Sequence, residues 1–218
     1  MTELKRILAL LLLITLLGAS SYIYIQGLSD ESAAFALSEQ GPFEQLSLIF
    51  WLLLSGYIIW RWWPGDHISW TLALLPLIAL AREASLHKAV NGISVLKRQF
   101  YLSNEIALQP KLLMGAIALT SIAALVYGLY LLVIWLRAGA WKHSGGQFML
   151  IGVGLLIGTK ILDRVNSILR TDFGVILAAH TAESIVVFEE SLEMALPLVL
   201  LAAARFIWLD QQKKWGRR

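Results

Sequence analysis

Six stretches of this chain stay apolar for about the 20 residues that one helical crossing of a bilayer's hydrocarbon requires. They run roughly over 5–25, 44–63, 68–87, 111–136, 147–169 and 184–208. Backbone N–H and C=O groups in lipid must be satisfied within the protein, so each stretch is expected to be a helix. The composition agrees: 58% of the 218 residues are hydrophobic and 15% charged, against about 25% charged in a soluble domain. Mean hydropathy is +0.68. The expected fold is all-α, a polytopic membrane helix bundle of about six transmembrane helices in a single domain over 1–218. An outer interfacial segment, 88–110, joins the third helix to the fourth. No internal repeat and no Pro-rich or Gly/Ser-rich linker points to a second domain.

Lys5 and Arg6 before an apolar run, with Gly18, Ala19 and Ser20 behind it, have the pattern of a signal peptide. The apolar character continues from Tyr22 to Ile25, which favours a retained first helix. The chain has no cysteine. Disulfides, cysteine-bound metals and thiol nucleophiles are therefore excluded together.

Charge counting orients the bundle. Lys5, Arg6, Arg61, Arg137, Lys142, Arg205, Lys213, Lys214, Arg217 and Arg218 fall on one side in a six-helix arrangement, and a side so rich in Lys and Arg is expected to be cytoplasmic. Against those ten stand three acids, a balance of +7; the other side holds eight basic and twelve acidic residues, a balance of −4. Both termini are thus expected in the cytoplasm. Trp60, Trp62, Trp63, Trp135, Trp141, Trp208 and Trp215 all fall at inner helix ends, as an aromatic belt does. The outer connection breaks the rule with Lys88, Lys97, Arg98 and Lys111, which suggests that those cations serve a purpose outside.

The ionisable residues inside the helices gather at one depth. At 1.5 Å of rise per residue, Arg82 and Glu83 lie about 21–22 Å above the inner boundary, Lys160 and Asp163 about 20–24 Å, and Glu193 and Glu190 about 21–26 Å. In a core about 30 Å thick that is the outer third. Residues three or four apart share a helix face, which groups Lys160 with Asp163 and Arg164, Glu193 with Glu189 and Glu190, and Glu83 with His87. Charges in lipid must face the bundle interior or water, and by default mark a functional site. Groups from the third, fifth and sixth helices are therefore expected to converge. The plain alternative is a set of ion pairs that fixes helix packing.

The candidate acid–base residues are Glu190, Glu193, Glu189, Asp163 and Glu83, and the candidate anion-holding residues are Lys160, Arg164, Arg82, Lys97 and Arg98. Lys97, Arg98, Phe100 and Tyr101 interleave cations with aromatics, as a lid over an anionic group or an interfacial helix on lipid headgroups would. Glu44 at the start of the second helix is favoured there by the helix dipole. His87 and His180, with Glu83 and Glu190, form a candidate metal set, opposed by the cations nearby. No cofactor motif is present: nucleophile elbow, phosphate loop and HExxH are all absent from the sequence.

The runs AREASLHK (81–88), LKRQFYL (96–102), KILDR (160–164) and EESLE (189–193) together resemble a pattern in uncharacterised polytopic bacterial inner-membrane proteins. That resemblance implies a multi-pass inner-membrane location and carries no activity. The expected partners are membrane lipids, a lipid-linked or anionic ligand, and a protein partner, with nucleic acid not among them. Three functions compete: an enzyme or binding protein with a site facing the periplasm or outer leaflet, a proton-coupled carrier or channel, and a non-catalytic subunit or assembly factor. A channel needs polar residues in both halves of the bundle, whereas the inner halves here are nearly all apolar, which favours one-sided access.

Overall fold

The computed structural model describes residues 3–38, 40–62, 67–88 and 92–215. The regular elements among the described residues are all helices, with no strand: α1 (Glu3–Gln26), α2 (Asp30–Ala36), α3 (Pro42–Trp62), α4 (His67–Glu83), α5 (Arg98–Leu102), α6 (Leu108–Arg137), α7 (Ser144–Asp172) and α8 (Ala179–Trp215). Single 3₁₀ turns follow α4 at Leu86–Lys88 and α6 at Ala140–Lys142. The six long helices match the six apolar stretches. Four segments among the described residues are long and apolar enough to cross a membrane, namely Lys5–Gln26, Pro42–Arg61, Leu108–Arg137 and Ala179–Gln212. Of the other two long helices, α4 has 17 residues and α7 carries Lys160, Asp163, Arg164 and Arg170 in its second half.

The chain divides into two compact units, one made of the residues up to Phe50 with those from Gly139 onward, the other of Trp51–Ala138. In the first, α7 and α8 make the most extensive helix pair and α1 lies against α8. Their close approach rests on glycines. A Cβ on Gly145 would stand 2.7 Å from Ile207 Cγ1 and 3.1 Å from the Ile207 backbone nitrogen, and one on Gly152 would stand 2.6 Å from Leu200 Cδ2. Lipid offers no hydrophobic drive for helices to associate, so small residues that bring backbones together carry much of the attraction. Around this contact Leu10, Phe148, Val199 and Ala203 form a buried cluster joined by Ile7, Ile14, Leu155 and Phe206. Further along the same helices Ile25, Ala33, Ala36, Phe43, Val187 and Met194 form a second, which α2 and the start of α3 complete.

The end of this unit at the start of α1 is marked by Arg6. Its Nη1 donates to Ser144 Oγ at 3.3 Å, and its guanidinium lies 5.0 Å from the centre of the Phe206 ring. One cation thereby ties α1 to the first residue of α7 and to α8, as a side chain anchored at an interface does. Lys142 sits over Trp141 at 5.3 Å in the same way.

In the second unit α4 packs on α6, where Leu75 fills the space over Gly128; a Cβ there would come within 2.6 Å of Leu75 Cδ1. Gly128 is the single buried residue of this 30-residue helix. The segment before α6 is anchored by Phe100, fully buried with Val95 and Ile106 against Met114 and Ala118. Lys111 Nζ donates to the Ser103 carbonyl at 2.6 Å and holds the same turn.

Substituting Gly145 by Val should therefore separate α7 from α8 and lower stability by about 1–3 kcal/mol. Gly154→Ala, with nothing within 4 Å of its Cβ, should be neutral or slightly stabilising. Thermal unfolding of both variants in detergent checks the contrast.

Candidate functional site

The α7–α8 contact has one antiparallel register. The seven residues from Gly145 to Gly152 are matched by seven from Ile207 to Leu200, and the eight from Gly152 to Lys160 by seven from Leu200 to Glu193. That register delivers the central contact of the site: Lys160 Nζ donates to Glu193 Oε1 at 2.7 Å. The Lys160 side chain is 36% exposed and that of Glu193 21%, so the pair sits at the margin of the packed helices. One turn further along, the register sets Asp163 across from Glu189 and Glu190. Glu193, Asp163 and Lys160 all lie close enough for their charges to act on Glu189.

Local structure supports the pair. Thr159 and Ser191, fully buried beside it, return their hydroxyls to the carbonyls of Leu156 and Val187 at 3.1 and 2.6 Å, so neither competes for the lysine. Pro197 lies inside α8 four residues after Glu193. A proline has no N–H to give to the carbonyl four residues back. The carbonyl of Glu193 is thus relieved of its helical donor next to the carboxylate that Lys160 holds. Asn166, one turn beyond Asp163, has a buried Oδ1 without a hydrogen-bond partner.

The remaining candidates fall as follows. Asp163 and Arg164 are exposed, while Glu189 and Glu190 are part-buried. His180 stands in the first turn of α8, exposed, where its Nε2 shares a 3.1 Å hydrogen bond with the Tyr22 hydroxyl and the two rings meet edge to face. Ten residues separate it from Glu190 on one helix, about 15 Å of rise, too far for one metal ion. No group of three His, Asp or Glu side chains among the described residues is placed to hold a metal.

In the second unit Arg82 is exposed and Glu83 part-buried at the end of α4. The expected sharing of a helix face by Glu83 and His87 does not form, because α4 ends at Glu83 and Ser85 takes a left-handed φ of 51°. The side chain of His87 lies outside the described residues. Lys97 and Arg98 are exposed at the start of α5, whose buried residue is Phe100. Glu44 lies in the first turn of α3.

Sequence spacing singled out the α7 and α8 charges, and three neighbouring features of the structure were not anticipated from it. Pro197 was visible as a proline four residues after a glutamate in an apolar helix, and Asn166 as an amide one turn after Asp163. The Tyr22–His180 contact, 158 residues apart, left no local signal. Comparison with known proteins gave no matching family model, no matching curated protein and no matching solved structure.

Proposed function

We propose that this chain is a six-span integral membrane protein of the bacterial inner membrane, with both termini cytoplasmic, and that α7 and α8 carry an acid–base or binding centre open to the outer leaflet for a polar, lipid-linked substrate. The observation that carries this reading is the Lys160–Glu193 pair with further carboxylates in reach of it. A cluster of that composition in a helix pair of these lengths is costly unless it has a use.

Depth favours access from one side. Taking Ser144 as the inner boundary of α7, Lys160 is about 24 Å up and Asp163 and Arg164 about 28–30 Å, at the outer edge of the hydrocarbon. Below the pair the two helices are closed by Gly145 on Ile207, Gly152 on Leu200 and the cluster of Leu10, Phe148, Val199 and Ala203. That apolar plug supports a site rather than a conduit, and speaks against the carrier.

The roles divide by contact. Lys160 and Glu193 satisfy each other and position the helices. Arg164 is exposed and free of an ion pair among the described residues, and is the cation left to meet an anionic headgroup. Glu189 and Asp163 supply the carboxylates for proton transfer, which must come within about 3 Å of the proton they move.

Two measurements test this. Impermeant maleimide applied from outside should label Asn104→Cys in this cysteine-free chain and reach His143→Cys only after the membrane is opened; the reverse pattern contradicts the orientation. Arg164→Gln and Glu189→Gln should accumulate at normal levels yet lose a bound lipid-linked or anionic molecule in native mass spectrometry. Unchanged bound species in both variants would remove the site from these residues.

A further inference from the structure

Away from α7, the end of α1, the short α2 and the start of α3 border an open cavity of about 520 Å³ lined by Tyr24, Leu28, Glu31, Ser32, Phe35, Ala36 and Pro42. Its floor is apolar, yet its aromatic walls are not packed away: Tyr24 is 50% and Phe35 60% exposed. The Tyr24 ring is held from behind by the buried Phe43, with ring centres 6.4 Å apart. Ser29 caps α2 through the Ser32 N–H and bonds the Ser32 hydroxyl at 3.0 Å, which fixes the turn that carries Glu31. Glu31 is exposed and has no ion pair among the described residues. Among the described residues no lysine or arginine lines the cavity.

We propose that this cavity binds an organic ammonium group, either the headgroup amine of a zwitterionic lipid or a free alkylamine. The two aromatic rings that line it can attract a cation through their quadrupoles, the carboxylate supplies the counter-charge, and Leu28 and Pro42 meet alkyl substituents. Other classes of ligand fit less well. An anion is repelled by Glu31, an inorganic cation such as calcium asks for six or more oxygen ligands, and a wholly apolar guest strips water from the carboxylate without replacing its contacts. Interfacial placement alone accounts for exposed aromatic rings but not for their sharing one depression with a carboxylate and no lysine or arginine among the described residues.

The test is calorimetric titration of the full-length protein in a maltoside detergent with tetramethylammonium chloride, against sodium chloride at equal ionic strength. Saturable binding is expected, weakened about fivefold or more by Glu31→Gln and by Tyr24→Leu. Both positions are at least half exposed or at the surface, so the variants should fold, and unshifted thermal unfolding confirms that they have. Competition by lysophosphatidylcholine but not lysophosphatidylglycerol identifies a lipid headgroup as the source. Competition by choline with no advantage for the lysolipid identifies a free amine. The proposal is overturned if tetramethylammonium does not saturate, if both folded variants bind it as wild type does, or if the two lysolipids compete equally.

Discussion

A charge that leaves water must bring its partner with it, and in this protein that requirement fixes the position of one helix against another. Lys160 and Glu193 meet at 2.7 Å only because α7 and α8 run antiparallel in a register already set by Gly145 on Ile207 and Gly152 on Leu200. Packing and electrostatics therefore specify the same alignment. A slip of one turn along either helix, about 5.4 Å, would drive backbone into Ile207 and separate the pair together. Buried ion pairs often add little stability while fixing registry, and the pair here has the geometry of such a device as well as of a site.

The polar layer stands on a closed base. The buried hydroxyls of Thr159 and Ser191 bond back to their own helices, and the cluster around Phe148 and Val199 fills the space between α1, α7 and α8 below. What remains available are the groups above or beside the pair: Glu189, Asp163, Arg164 and the Glu193 carbonyl released by Pro197. The proposed function rests on a division between one ion pair that holds the helices and the carboxylates and cation left beside it.

Much of the helical content was legible from the apolar runs. Apolar runs of about 20 residues are read as helices with little ambiguity, and the six long helices lie where those runs lie. Ends were less legible, since α8 extends from Ala179 to Trp215 through polar residues that a hydropathy boundary cuts off. The break at Ser85 was hidden as well, because a serine with positive φ has no distinctive sequence signal, and with it went the shared face of Glu83 and His87. Among the candidate residues, three- and four-residue spacing grouped Lys160 with Asp163 and Glu189 with Glu193, and Glu189 does lie within electrostatic reach of Glu193, Asp163 and Lys160. Spacing within one helix could not choose which lysine meets which glutamate. That choice came from the glycines, whose partners lie more than forty residues away in sequence.

The most direct measurement of the central claim is a charge exchange between α7 and α8. Lys160→Glu and Glu193→Lys, each alone, place like charges together at this depth and should greatly reduce the amount of folded protein recovered from membranes. Combined in one chain they restore an ion pair in the same register, and recovery should return most of the way to wild type. A double variant no better recovered than the single ones, or single variants recovered in full, would contradict the account.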